Sequence, residues 1–254
     1  MRDLPWPAKI YLFVVVGTAA LLIGRILLGH PEFCVRDWPM LVVLALLFLV
    51  CESVPTLLNV PHVAVSVSFS AALATVVLVG AEGAALVGTI AVLSVRPGLP
   101  LVKRLFNGAQ FALSGYAAGL AFVWAGGRPA LPKIDGFTQL IVPFLAATAV
   151  FIVTNALLTA IVVWLGEGVG RSQLQVWETA RFLASYTGYA AFGLLIAGLW
   201  TTVSSIAAVL VLLPLFVARW AFGHYRAQQH AYDATIAALC QAVETKDYYT
   251  RGHC

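Results

Sequence analysis

The chain has 254 residues, of which 61% are hydrophobic and 10% are charged, and its formal net charge is +4. Soluble proteins carry about 25% charged residues, so this composition excludes an ordinary soluble fold. The modest positive charge suits anionic membrane lipids and does not make a nucleic-acid-binding patch. The apolar runs are continuous and do not alternate every second residue, which predicts an all-α, polytopic bundle of transmembrane helices. The four cysteines have no CxxC spacing, so neither a zinc site nor a disulfide framework is expected.

Eight apolar segments are predicted to cross the membrane, since a span needs about 17 to 20 mostly apolar residues. The first segment has no clear cleavage site and is expected to remain as an uncleaved span. The third and fourth segments have an alternative interpretation as one re-entrant pair, and a tight turn at Thr201 and Thr202 separates the last two. In chain order the predicted spans are 8–28, 38 to about 56, 63–79, 83–95, 105–124, 137–165, 182–200 and 203–222.

Basic residues predict the orientation of these spans, because cytoplasmic loops carry an excess of Lys and Arg. If the N-terminus is cytoplasmic, the inner side holds Arg2, Lys9, Arg96, Lys103, Arg104, Arg171, Arg181, Arg219 and Arg226, and the outer side holds Arg25, Arg36, Arg128 and Lys133. This distribution predicts a multi-pass membrane protein with both termini in the cytoplasm.

Polar residues follow one another at helical spacing within "KRLFNGAQFALSGYAAG". Asn107, Gln110 and Ser114 are three and four residues apart and are predicted to share one helix face. Gly115 and Gly119 form a GxxxG pair, which predicts close approach of another helix.

Polar residues of the sixth and seventh spans are predicted to meet this face. They are Asn155, Ser185, Tyr186, Thr187 and Tyr189. The group has two interpretations, a ligand pocket for sensing or hydrogen bonds between packed helices. The second is favoured, because small and polar residues are ordinary packing devices in membrane bundles. Glu52 and Glu82 lie near predicted span ends and are expected to be interfacial rather than proton carriers.

Two stretches resemble the integral-membrane sensor regions that precede bacterial cyclic-dinucleotide enzymes. They are "SVSFSAALATVVLVGAEGAALVG" and "KRLFNGAQFALSGYAAGLAF". The resemblance covers most of residues 38–222 and names no ligand.

A polar segment follows the last span. "GHYRAQQHAYDATIAALCQAVETKD" has no Gly or Pro after its first residue and predicts one continuous exit helix. Tyr232, Ile236, Leu239 and Val243 advance by four, three and four residues, which is heptad spacing. Either a dimeric coiled coil or an amphipathic helix that packs on its own domain fits this pattern, and the second is slightly favoured.

The end of the chain resembles the opening of an HD-GYP domain, the bacterial phosphodiesterase class that acts on cyclic di-GMP. The matching residues are Thr235, Ala238, Leu239, Ala242, Glu244, Lys246, Asp247, Tyr249, Thr250, Gly252 and His253. The resemblance implies that His253 is a ligand of a catalytic pair of Fe, Mn or Zn ions, which would activate water. Tyr249 stands where some members have a glutamate that supports a third metal, and Cys254 stands where a serine is usual. The implied centre therefore has two metals.

The predicted organisation is a membrane sensor or anchor over residues 1–222, a connecting helix at 223–232 and the start of the HD-GYP domain at 233–254. No His-Asp dipeptide or GYP motif occurs in the sequence, so this chain is expected to be inactive and the catalytic core to lie beyond residue 254. The expected partners are membrane lipids, a second copy through the exit helix, and cyclic di-GMP for the missing domain. The alternatives are a small-molecule transporter, or a passive membrane anchor or dimerisation module.

Overall fold

The computed structural model describes residues 4–29, 38–53, 68–95, 99–129, 137–167 and 176–210, together with 217, 225, 228–229 and 231–242. All regular secondary structure in these ranges is helical, which confirms the all-α prediction. The helices are α1 Trp6–Gly29, α2 Trp38–Ser53, α3 Ser68–Leu78, α4 Ala81–Thr89 with a 3₁₀ turn Ile90–Leu93, α5 Leu101–Trp124, α6 Phe137–Glu167, α7 Val176–Thr202 and α8 Ser205–Leu210.

The described helices overlap the predicted apolar segments, with shifted boundaries on α5 and α7; α7 begins at Val176, six positions before its predicted start. Helix α5 begins at Leu101, four positions before its predicted start, because Pro100 lies immediately before it and its carbonyl accepts the amide of Lys103 at 3.0 Å. Helix α7 continues through Thr202, so the turn predicted at Thr201 and Thr202 lies at Val203 and Ser204 instead. The Ser204 Oγ accepts a hydrogen bond from the Ala207 amide at 3.1 Å and caps α8.

Two helices among the described residues are long and apolar enough to cross a membrane, where eight spans were predicted. They are α1 and the Thr138–Gly166 part of α6. Helices α5 and α7 have 24 and 27 residues, which is long enough for a span, but α5 carries amides, a serine and several glycines that lower its hydropathy. The described parts of α2, α3 and α4 with its 3₁₀ turn are shorter apolar helices.

Large apolar side chains cover the outward faces of the long helices, while polar side chains lie inside. Exposed examples are Phe13, Leu21 and Leu28 on α1, Leu46 on α2, Leu120 and Trp124 on α5, Val142, Leu145 and Trp164 on α6, and Leu195 on α7. Buried polar residues are Glu52, Ser68, Ser70, Thr75, Ser94, Gln110, Ser114, Thr148 and Asn155. Exposed apolar surface of this extent is typical of a bundle surrounded by lipid.

Helices α4 and α5 pack so closely that their backbones touch. A Cβ added to Gly119 would lie 2.3 Å from the Cα of Ala81, and one added to Gly115 would lie 2.9 Å from the carbonyl oxygen of Ala84. A Cβ on Gly88 would in turn lie 2.6 Å from the backbone of Phe111. Residue numbers rise on one helix as they fall on the other, so the pair is antiparallel. The prediction that Gly115 and Gly119 form a close-approach face is confirmed, and the partner is α4.

Helix α3 lies at the centre of the bundle, and every residue from Ser68 to Leu78 is buried. It packs against α2, α4, α5, α6 and α7. Gly80 joins it to α4 with φ +92°, a left-handed conformation that favours glycine, and Pro129 lies over this turn 3.1 Å from where a Cβ would be. The antiparallel return from α3 into α4 matches the paired arrangement that the sequence left open for the third and fourth segments.

The chain divides into two compact units, Met1–Val209 and Leu210–Cys254. In the second unit, residues 231–242 are helical, in agreement with the predicted exit helix. Tyr232, Ile236 and Leu239 are exposed on it, so the described chain does not show the packing on its own domain that was slightly favoured. Val243, the fourth residue of the heptad pattern, lies outside the described residues.

Close approach at the glycine face has a direct test. Gly119→Ala is expected to lower the free energy of unfolding by about 1–3 kcal/mol, because the new methyl group must displace the Ala81 backbone. Gly24→Ala on α1 is the matched control, since nothing lies within 4 Å of its Cβ position. It should be neutral or stabilising by up to about 1 kcal/mol. Unfolding titrations in mixed detergent micelles measure both, and equal stability of the two variants would contradict the α4–α5 packing.

Candidate functional site

A hydrogen-bonded polar cluster connects α5 to α6. The Gln110 Nε2 donates to the Thr159 Oγ1 at 2.6 Å and to the backbone carbonyl of Asn155 at 3.2 Å, and the Thr159 hydroxyl donates to the same carbonyl at 2.9 Å. Gln110 and Asn155 are both buried. The predicted meeting of the α5 polar face with Asn155 is therefore observed, although the contact uses the Asn155 backbone and the main side-chain partner is Thr159, which the sequence did not single out.

The other residues of the predicted face differ in their surroundings. Ser114 is fully buried, and its hydroxyl has no hydrogen-bond partner within the described ranges. Thr148 on α6 is buried with a similarly unpartnered hydroxyl. Asn107 is half-buried and does not take part in the hydrogen bonds described for this cluster. Two buried hydroxyls, one on α5 and one on α6, therefore have no hydrogen-bond partner among the described residues.

Helix α1 closes the same end of the α5–α6 pair. The Tyr11 hydroxyl donates to the Leu158 carbonyl at 3.1 Å, and the Tyr11 ring lies 6.5 Å from the ring of Phe106. Leu12 and Val15 are buried against Phe106 in one apolar cluster. These contacts fix α6 next to the Gln110 cluster, because Leu158 immediately precedes Thr159.

Tyr186 lies in a different place from the one predicted. Its ring contacts Phe69 of α3 edge-to-face, with 4.6 Å between the ring centroids. Next to it, the Ser70 hydroxyl donates to the Tyr189 carbonyl at 2.7 Å, and a Cβ on Gly193 would lie 2.8 Å from the Ser70 carbonyl oxygen. Helix α7 therefore packs chiefly on α3, and the prediction that Tyr186 meets the Asn107, Gln110 and Ser114 face is wrong. Thr187 is exposed, and the side chain of Ser185 lies outside the described residues.

A chain of aromatic rings nevertheless links the two regions. Phe48, Phe111, Phe151, Phe69 and Tyr186 come from α2, α5, α6, α3 and α7. Successive ring centroids are 5.1, 6.2, 4.9 and 4.6 Å apart. Distances in this range bring about 0.5–1.5 kcal/mol per pair beyond burial, so the rings tie five helices into one core.

A buried acid at the end of α2 was not predicted. Glu52 is 1% exposed, and its Oε2 accepts a hydrogen bond from the Ser68 hydroxyl at 2.7 Å. The charge of Glu52 also acts electrostatically on Tyr186. The start of α3 covers Glu52, so its side chain is buried within the protein, which was not expected from the sequence. Its position four residues inside the predicted second span was the signal that could have identified it.

The described residues contain no group of three or more His, Cys, Asp or Glu side chains that could hold a metal ion. His253, the predicted metal ligand, lies outside the described residues. The polar groups that the bundle does bring together are hydroxyls, amides and one carboxylate. Such groups can bind protons or small polar molecules, and they do not form a multidentate centre for a transition metal.

Comparison with known proteins found no match to this chain among protein-family models, curated proteins or solved structures.

The Gln110 cluster can be tested by a double-mutant cycle with Thr159→Val, which removes the hydroxyl and keeps the shape. Gln110→Ala and Thr159→Val are expected to couple by about 0.6–1.7 kcal/mol in the free energy of unfolding, the range for hydrogen bonds between membrane helices. Asn107→Ala is the control partner and should be additive with Thr159→Val. Additivity in both cycles, measured by unfolding in mixed micelles, would contradict the proposed bond.

Proposed function

We propose that this chain is the membrane-embedded sensory region of a bacterial HD-GYP-type phosphodiesterase that hydrolyses cyclic di-GMP with a metal pair. The observation that carries the proposal is the ordered string "E-x-K-D-x-Y-T-x-G-H" at residues 244–253, directly after a polar exit helix. The described bundle supports a sensory role, because it places polar clusters inside an apolar exterior. In lipid, such buried polar groups are costly unless they serve packing or function.

The proposed topology has eight spans in the bacterial cytoplasmic membrane, with both termini in the cytoplasm. Two apolar helices of spanning length support membrane association. Hydrogen bonds and glycine contacts make α5 antiparallel to both α4 and α6, as alternating spans require. A cytoplasmic C-terminus would place the catalytic domain next to its intracellular nucleotide.

The bundle offers a route by which a stimulus would reach the end of the chain. Helix α7 is held on α3 by Ser70 and by the close approach at Gly193. A stimulus that moves α3 would therefore displace α7, and the last predicted span, 203–222, connects α7 to the exit helix. Packed helices shift between discrete arrangements because the interior is too dense to deform continuously.

The metal chemistry rests on the resemblance. His253 would supply one neutral imidazole to a pair of Fe, Mn or Zn ions, a donor that suits these metals. The bound pair would activate a water molecule for attack on phosphorus. The role of the residues in this chain is to present that imidazole at the end of the exit helix.

A small-molecule transporter is the second candidate, and Glu52 favours it. Intramembrane acids commonly mark ion or substrate pathways, and the buried α3–α4 pair is an interrupted element of the kind transporters use. A transporter would move solute in vesicles that contain this chain alone, whereas a sensor would not.

Catalytic function is tested on the complete open reading frame that contains this chain. His253→Ala is expected to reduce cyclic di-GMP hydrolysis by at least about 100-fold, because even outer-shell partners of a metal site contribute about 10- to 100-fold. His230→Ala, a histidine of the exit helix upstream of the string, is the matched control and should keep wild-type activity. The readout is product formation in membranes supplied with Mn²⁺ or Fe²⁺. Hydrolysis that survives His253→Ala contradicts the metal role, and a wild type without hydrolysis contradicts the assigned family.

A sensor and a passive anchor are distinguished by whether substitution of the buried amides changes the regulation of phosphodiesterase activity. In the same complete protein, Gln110→Ala and Asn155→Ala should alter how phosphodiesterase activity is regulated, and Asn107→Ala should alter it less because Asn107 is half-buried. Unchanged regulation in all three variants would favour a passive anchor.

Exposed apolar residues on the exit helix predict a dimer. Leu239 is 62% exposed and Tyr232 is 63% exposed, on the heptad face. Leu239→Asp should weaken dimerisation at least about tenfold, the equivalent of about 1.4 kcal/mol, since it places a charge in the helix seam. Ala237→Asp, two positions away on the outer side of the heptad, is the control. Sedimentation equilibrium of the full chain in density-matched detergent measures both, and a wild type that stays monomeric would contradict the seam.

A further inference from the structure

The carboxyl group of Glu52 is buried within the bundle, near the end of α2. Its residue is 1% exposed, and the helix that covers it, α3, is buried along its whole described length. A carboxylate inside a membrane bundle is costly unless it is paired or protonated. An acid inside such a bundle is therefore expected to have a partner that removes or balances its charge.

The side chains around this carboxyl group are suited to bind a proton. The Ser68 hydroxyl lies 2.7 Å from the Glu52 Oε2. A serine hydroxyl can donate to an ionised carboxylate and can accept from a protonated carboxyl group, so this contact survives a change of protonation. Tyr186 has the same dual capacity; its ring is fixed against Phe69, the neighbour of Ser68, and its hydroxyl lies within electrostatic range of Glu52.

Other titratable or charged groups on the surrounding helices can be placed relative to this carboxyl group. They are Cys51, Glu82, Lys103, Arg104, Tyr116, Tyr186 and Tyr189; Glu167 of α6 and Glu178 and Arg181 of α7 also belong to these helices, and their side chains lie outside the described residues. Helix α3 carries none. Glu82 precedes Gly83, which packs on Leu41, and Leu41 is about 16 Å from Glu52 along α2. Lys103 is exposed, and the Arg104 Nε donates to the Leu99 carbonyl at 3.1 Å. Cys51 is buried beside Glu52, and Tyr116 and Tyr189 are half-buried.

We propose that Glu52, Ser68 and Tyr186 form a proton-binding site inside the membrane bundle. Binding transfers one proton to a Glu52 carboxylate oxygen, forms one O–H bond and removes one negative charge from the contact between α2, α3 and α7. Because Ser70 and Phe69 of α3 hold α7, the protonation state biases the packing of α7. The site depends on the membrane-embedded part of the proposed function and is independent of the phosphodiesterase.

Infrared difference spectroscopy of the full chain in lipid nanodiscs tests the site, since a protonated carboxyl group absorbs apart from a carboxylate. A buried carboxyl band that appears on acidification is expected in the wild type and in Glu82→Gln, a half-buried acid on α4. The band should be lost in Glu52→Gln, which keeps the size of the side chain. Ser68→Ala should move its midpoint to higher pH, because the serine hydroxyl donates a stronger hydrogen bond to the carboxylate than it makes with the protonated carboxyl group.

The possible results separate the two proposals. A titrating band that Glu52→Gln leaves in place, or no titrating band in an inserted wild type, overturns the proton site and leaves the phosphodiesterase proposal untouched. If Glu52→Gln fails to insert, Ser68→Ala decides: an unshifted band overturns the site. A wild-type chain that does not float with lipid overturns both the site and the membrane-embedded sensor. Loss of cyclic di-GMP hydrolysis alone has no bearing on the band.

Discussion

The burial of α3 is the constraint on which the rest of the bundle depends. Every residue from Ser68 to Leu78 is shielded, so each of its hydroxyls must find a partner inside the protein. Thr75 satisfies itself within the helix by donating to the Ala71 carbonyl at 2.7 Å, whereas Ser68 and Ser70 reach other helices. Those two bonds fix α2 on one side of α3 and α7 on another. The small residues that allow this burial, four of them alanine or serine in the first five positions, leave room for the aromatic ring of Phe69.

Close packing by glycine compensates for the absence of a hydrophobic driving force between helices in lipid. The hydrophobic effect does not drive helices together in lipid, so their association depends on van der Waals contact and on interhelical hydrogen bonds. The α4–α5 contact uses the first device, through Gly88, Gly115 and Gly119. The α5–α6 contact uses the second, through Gln110 and Thr159. Helix α5 therefore presents two different faces. Its glycines contact α4, and its Gln110 side chain bonds to α6.

Sequence periodicity was sufficient to predict the helical class, the close-approach face and the contact of Gln110 with α6. Spacing within one helix determines which residues share a face, and Gly115 and Gly119 could be assigned on that basis. It does not determine which neighbour a face meets. Tyr186 was paired with the wrong helix because α7 has polar and small residues on more than one side, and only tertiary packing selects α3. Glu52 was placed at the interface because its distance from a span end says nothing about the coverage supplied by Ser68, sixteen positions later.

The interior of the bundle contains more than the apolar packing that a membrane anchor requires. A passive anchor requires apolar helices of sufficient length, and α1 meets that requirement with a single tyrosine bond to α6. The interior instead contains a carboxyl group and an amide cluster that both adjoin one chain of aromatic rings. Phe111 follows Gln110 directly, and Tyr186 lies within the electrostatic range of Glu52. Because the rings between them are in van der Waals contact, a change of charge or hydrogen bonding at one group alters the packing felt at the other. Helix α7 carries the last ring of that chain, so the residue on which the charge of Glu52 acts lies on a helix that α3 holds through Ser70.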